Sequence, residues 1–285
     1  MRSLIAGILL YGTATTPVWA QDAGALAVTL EPVWRTGGFE NPESALFVSE
    51  TGFLYVSNVA GEGGDVDGNG YISRMTLDGE IETLRWAEEG LNAPKGLARH
   101  GDRIYVTDIT DIVEIDLATG AVLSRHLAEG SRFLNDAIAG ADGTIYVSDS
   151  GTARIYQLSG GIVSVWAEDP LMAAANGLWL EEDRMLLITM AGRLVAIDRE
   201  SRNVTEIATG IGDGDGIAPL PGGGYLGNEW PGQTYHIAED GTVTVLEDVR
   251  ADETYTNDFT IVGNRVYTPH FNSGEVSAAD IVVND

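Results

Sequence analysis

A repeat with a period near forty residues constrains this chain more than any other feature. Six short apolar segments begin alike: "NPESALFV", "APKGLARH", "LNDAIAGA", "ANGLWLEE", "GDGIAPLP" and "TNDFTIVG". One register position in each gives Glu43, Lys95, Asn135, Asn176, Asp215 and Asn257, spaced 52, 40, 41, 39 and 42 residues apart. A second alternating segment follows each after a turn: "FLYVSN", "RIYVTD", "TIYVSD", "MLLITM", "GYLGNE" and "RVYTPH". Period-two alternation rich in Val, Ile, Tyr and Thr is a strand signal. About four strands per repeat, with no long amphipathic helix, predict a β-propeller, and six repeats predict six blades. The N-terminal "ALAVTLEPVWRT" is expected to supply the outer strand of the last blade and close the ring. A barrel or a sandwich would leave the repeat unexplained. The expected fold is therefore all-β: one six-bladed propeller of four-stranded blades over residues 21–285.

The first twenty residues read differently. Arg2 gives a basic start, residues 3–12 form an apolar run, and Val18-Trp19-Ala20 places small residues around a cleavage point. This is the pattern of a secretory signal peptide spanning residues 1–20, so the mature protein is expected in the periplasm. The run is too short to span a bilayer, and no later stretch is long and apolar enough. The chain has no cysteine, so its stability must come from its core. Its net charge is −27, with 43 acidic residues against 16 basic ones. That balance argues against nucleic acid and anionic membranes as partners, draws cations, and also serves solubility. A small molecule is the expected partner.

The first repeat is long because of the Gly-rich run 60–70. Within it, Asp65-Val66-Asp67-Gly68-Asn69-Gly70-Tyr71-Ile72 matches the opening of an EF-hand calcium loop. The twelfth position, where such a loop needs a bidentate Glu, is Thr76. The run reads as a hairpin insertion between the second and third strands of blade 1, overhanging the channel mouth, with a weak second cation site as the alternative.

In a propeller the first strand of each blade lines the axis. The six register residues should then ring one mouth of the channel. Taken singly they are turn residues: Asn176-Gly177 and Asp215-Gly216 are turn dipeptides. As a set, two carboxylates and several amide oxygens on one axis suit a hard divalent cation, calcium first. Lys95 is the cation in the ring. It would bind a substrate carboxylate or phosphate, or pair with Glu43 in the metal's place. Trp230 and Phe271 are expected to line an apolar pocket on the same face, together with Asn58, Asp108, Asp149, Glu229 and His270. His270 is a candidate general acid or base; a partly buried rim residue is the other reading.

At these residues the chain resembles the senescence-marker/gluconolactonase (regucalcin-like) six-bladed propellers. The resemblance rests on Glu43 in "NPES", Asn-Asp in "RFLNDAIAGADGTIYVSD", Asn-Gly in "ANGLWL" and Asp-Gly in "GDGIA". It implies Glu43, Asn176 and Asp215 as primary ligands of a catalytic divalent cation, usually calcium. Asn135 would be a further ligand or bind substrate. Arg132 resembles the family's substrate-binding arginine, although it stands one residue further from the Asn. Blade 1 departs from the family with "PESALF" in place of a Gly-rich run ending in Trp.

The implied activity is metal-dependent hydrolysis of a lactone or related ester. The cation would polarise the carbonyl, and Asp215, or a water beside it, would attack. No Gly-x-Ser-x-Gly elbow, Walker loop or His/Cys cluster offers another chemistry. The alternative is a non-catalytic periplasmic propeller that binds a ligand or a protein, because propellers serve many functions.

Overall fold

The computed structural model of the protein describes residues 27–284. The expected signal peptide lies outside them. Six four-stranded antiparallel sheets stand in a ring, as the repeat predicts. The innermost strands are Pro42–Val48, Pro94–His100, Leu134–Ala139, Ala175–Leu180, Gly214–Pro219 and Thr260–Val262. In each of the first five blades the chain then steps outward strand by strand. The last blade is closed by the N-terminus: Ala27–Gly37 pairs along the full length of Glu275–Asn284. Closure leaves the propeller without an open end, which is how this architecture protects its sheet edges. Among the described residues no helix is long and apolar enough to cross a membrane.

Burial follows radius. The second strand of blade 3, Ile145–Asp149, is buried at every position. The outer strand Val122–Leu127 alternates between half-buried and exposed, as a half-solvated edge should. The core is divided into six clusters that each seal one blade against the next. Leu97, Ile104 and Val106 of blade 2 meet Val48, Tyr55 and Ile72 of blade 1. Trp34, Tyr267 and Val276 of the closing blade meet Leu54 and Val56. Each fully buried Leu, Ile or Val contributes about 1.5–3 kcal/mol. With cysteine absent, these seams carry the stability.

One local feature positions the site. In five blades the register between the first two strands slips at the same place, between Pro42 and Ala45, Pro94 and Leu97, Leu134 and Ala137, Ala175 and Leu178, and Gly214 and Ile217. Each slip sets two residues against one, which is a β-bulge, a device that re-aims side chains. The bulged pairs are Glu43-Ser44, Lys95-Gly96, Asn135-Asp136, Asn176-Gly177 and Asp215-Gly216. In blade 6 the equivalent pair, Asn257-Asp258, meets blade 1 through a parallel bridge from Asp258 to Ser44. The bulge N–H groups are not left bare: Ser57 Oγ accepts from Ser44 at 3.0 Å, Ser148 Oγ from Asp136 at 2.9 Å, and Asn228 Oδ1 from Gly216 at 2.6 Å. Glycine fills the second bulge position where the blades crowd the axis. A Cβ on Gly177 would lie 2.1 Å from the Asp215 carbonyl oxygen, and one on Gly96 2.4 Å from Asp136 Cα.

Candidate functional site

The five bulges, with the equivalent pair of blade 6, bring all six register residues to one cavity of about 260 Å3 at the channel mouth. Glu43, Lys95, Asn135, Asn176, Asp215 and Asn257 line it and are all buried. Asn41, Ala174 and Tyr255, each two residues before a ring side chain, are held at φ of 52°, 56° and 57°. Non-glycine residues there carry strain, which folds tolerate mainly around functional sites.

Three of the ring's side-chain oxygens are unpaired. Glu43 Oε2, Asn176 Oδ1 and Asp215 Oδ1 are buried and have no hydrogen-bond partner. A buried polar atom left bare costs about 1–3 kcal/mol, and three on one cavity call for a shared partner. The carboxyls respond as unpaired acids do. Burial, then the nearby Asp215, pushes Glu43 well above the usual carboxylate range, with Lys95 opposing. Burial and Asp258 push Asp215 up as well, with Asn176 opposing. A second acidic layer lies just below. Burial raises Asp136 well above its ordinary value, and Asp258, half-buried, is pushed up to about 7. These two residues line a separate, largely apolar cavity at the opposite mouth. Asp136 is already satisfied, accepting from the N–H groups of Ala137 and Leu178, and Asp258 accepts from Ser44 Oγ.

The unpaired oxygens and their carboxyls fit a divalent cation at the upper layer. Among the described residues no group of three or more acidic or imidazole side chains converges. The ring mixes two carboxylates with amides, a hard oxygen set that suits calcium better than zinc.

Lys95 feels the charge of Glu43 but makes its hydrogen bonds elsewhere. Its Nζ donates to the carbonyls of Gly63 at 2.8 Å and Ala93 at 2.9 Å, and lies 4.4 Å from the Phe133 ring centroid. The overhanging loop is thus fixed to the ring, and Glu62 and Gly63 form part of the cavity wall. Further along that loop, Asn69 donates to both Asp67 oxygens, at 3.0 and 2.8 Å, and Gly68 N–H donates to Asn92. That is turn chemistry. Opposite the loop, Trp230 stacks on Tyr255 at 4.4 Å and meets Phe271 edge-on at 6.2 Å, making the expected apolar wall.

Two expected site residues lie elsewhere. Arg132 is exposed and does not line the cavity; its backbone N–H donates to Asp149. His270 lines a different cavity, between blades 5 and 6. Its Nδ1 donates to the Tyr255 carbonyl at 2.9 Å, and its Nε2 meets Ser277 Oγ at 2.8 Å. Burial lowers it to about 4, so it is a neutral, fully bonded imidazole. Asp108 and Asp149, expected on the same face, turn inward. Asp108 accepts from the N–H groups of Asn92 and Ala93, and Asp149 from those of Arg132 and Phe133. They tie down the strands entering the axis.

Phe133, Met190 and Val59 complete the cavity and were not foreseen. Asp136 and Asp258 were also missed. Their signal was in the sequence, since blades 3 and 6 alone carry Asn-Asp at the ring position.

A six-bladed propeller with a buried, acidic, amide-rich ring at one channel mouth is the class that fold and site define. No family model and no curated protein matches the sequence. Solved structures match its fold. A gluconolactonase from Xanthomonas campestris superposes with a TM-score of 0.68 at 14% identity, covering 92% of this chain and 99% of that one. Virginiamycin B lyase from Staphylococcus aureus superposes at 0.66 and 14% identity, covering 90% and 100%. A chain of the nidogen/laminin complex superposes at 0.63 and 15% identity, covering 76% and 83%. At these identities the likeness is one of fold. The gluconolactonase match fits the resemblance read from the sequence.

Proposed function

We propose that the chain is a divalent-metal-dependent hydrolase of a small lactone or related ester, exported to the periplasm. The observation that carries this is the set of three buried, unpartnered oxygens on one cavity, Glu43 Oε2, Asn176 Oδ1 and Asp215 Oδ1. Glu43, Asn176 and Asp215, with Asn135, would hold the cation, calcium by its oxygen preference. Bound there, the cation supplies Lewis acidity to the ester carbonyl.

The chain's own groups do the rest. Trp230 and Phe271 present an apolar wall that excludes water from one side of the substrate. Asn135 Nδ2 donates to Ser150 Oγ at 3.2 Å, which holds its amide in a fixed orientation in the ring. Asp215 is the buried carboxyl placed to take a proton from an attacking water. The water oxygen bonds to the carbonyl carbon, the ring C–O bond breaks, and the leaving oxygen takes up a proton. His270 has no part in this, because both its ring nitrogens are engaged elsewhere.

One reading of Lys95 pairs it with Glu43 in the metal's place. Its Nζ donates instead to the Gly63 and Ala93 carbonyls and forms no ion pair with Glu43, which weakens that support for a non-catalytic propeller. Calorimetric calcium titration of residues 21–285 tests the proposal. One tight site, lost in Glu43→Gln and Asp215→Asn together with lactone turnover, is expected. Tight calcium binding that survives both substitutions, or lactone turnover indifferent to chelation, would sink it.

A further inference from the structure

We infer that the substrate carries a carboxylate, and that Lys95 receives it. This deepens the proposed function and rests on it. Among the cavity-lining side chains Lys95 is the only cationic one. With a divalent cation on Glu43 and Asp215, those two carboxylates are balanced; Asp108, the other acid that acts on Lys95, is paired with Arg125 at 3.1 Å, so the lysine has no counter-ion of its own in the cavity. Glu62 is the remaining acid on the wall, and it is exposed on the loop, where water screens it. An unmatched buried charge is costly, so the bound state should supply its counter-ion.

The contacts of Lys95 say which kind. An ammonium has three hydrogens, and two are used on carbonyls. One is left to donate. A phosphate needs a cradle of donors; Lys95 is the only cation on the cavity wall and Asn135 Nδ2 is committed to Ser150, which favours the smaller, singly charged carboxylate. A carboxylate needs less, and a charge-assisted bond suffices. The Gly63 carbonyl already accepts one N–H of Nζ, so a substrate carboxylate would accept the remaining one or displace that carbonyl. Gly63 packs closely here: a Cβ there would meet Phe133 Cζ at 3.1 Å and Lys95 Cε at 3.5 Å. The cavity, about 260 Å3, suits a compact ligand such as a monocyclic acid.

The test compares γ-butyrolactone with 5-oxotetrahydrofuran-2-carboxylate, the same ring bearing an acid, on the calcium-loaded protein. Wild type should favour the acidic lactone in kcat/KM on the order of ten- to a hundredfold, the range of a hydrogen bond to a charged group. Lys95→Met should collapse that ratio toward one. Lys95→Gln, which keeps donors for the Gly63 and Ala93 carbonyls, should do the same and guards against a variant that fails to fold. In parallel, calorimetry measures binding of 2-hydroxypentanedioate, the ring-opened acid. Its affinity should fall at least tenfold in both variants. Equal turnover of the two lactones, with a ratio unmoved by Lys95→Gln, overturns this inference and leaves the hydrolase standing. No turnover of either lactone, with Lys95-dependent binding of the diacid, overturns the hydrolase and supports the lysine's role.

Discussion

Asp136 Oδ2 accepts the backbone N–H of Leu178 at 2.6 Å, so a carboxylate on blade 3 staples blade 4 beside the channel. The same side chain accepts its neighbour Ala137 N–H at 2.6 Å. Removing it strands two buried donors. Asp136→Ala should lose about 2–5 kcal/mol in urea unfolding, within the range for a broken buried network. Asp136→Asn keeps one acceptor and should lose less.

Gly177 lies where blades 4 and 5 come closest. Its missing Cβ leaves room for the Asp215 carbonyl, which would otherwise be met at 2.1 Å. Gly177→Ala should cost on the order of 1–3 kcal/mol or more through overpacking. Because the atom displaced belongs to Asp215, calcium affinity measured by calorimetry should fall more than in the control Gly52→Ala. Gly52 has open space around it, although its φ of 74° makes that control mildly strained.

The buried acids make the metal-free protein sensitive to pH in a defined direction. Glu43, Asp136, Asp215 and Asp258 all titrate higher folded than unfolded, Asp258 at about 7. An acid with a raised folded pKa gives its full stability below the unfolded value and loses it as pH rises through the folded one. The chelated protein should therefore melt progressively lower as pH rises from about 4, with Asp258 contributing up to about pH 7. His270, lowered to about 4, acts in the opposite sense, since its contribution is lost as pH falls below the ordinary histidine value. Four carboxyls outweigh one imidazole. Saturating calcium should flatten the slope and raise the melting temperature at neutral pH, as mass action on the folded state requires. A melting temperature that rises with pH in chelator would contradict the buried acidic layers.

Replacing His270 removes two hydrogen bonds and leaves the Tyr255 carbonyl bare. His270→Ala should cost about 1–3 kcal/mol. Turnover per folded molecule should change only a few-fold, and the pH profile of kcat/KM should keep both its limbs. Loss of one limb in this variant would restore the histidine to the chemistry.

How much of this was legible varies residue by residue. The ring was, because a propeller blade repeats its register: Glu43, Lys95, Asn135, Asn176, Asp215 and Asn257 share a start motif and meet at one cavity. Ring closure by the N-terminal strand was legible in the same way. The roles of His270, Asp108 and Asp149 were not. All three end a second strand, and position alone puts them on the site's face. Whether such a side chain faces the cavity or folds back onto a backbone donor depends on which N–H groups the entering loop leaves free, and no linear pattern records that.

By itself, then, the sequence determined the number of blades, the closure and the identity of the six axial side chains, because local strand propensity and a fixed repeat length dictate them. Tertiary structure decided the aim of each side chain. A one-residue bulge turns Asn135 toward the cavity and Asp136 toward the next blade. Lys95 bonds to the Gly63 and Ala93 carbonyls and forms no ion pair with Glu43. Both outcomes follow from a dense axis where buried donors seek acceptors, and those acceptors and donors are supplied by chain segments that only the closed ring brings together, Leu178 for Asp136 and Gly63 for Lys95.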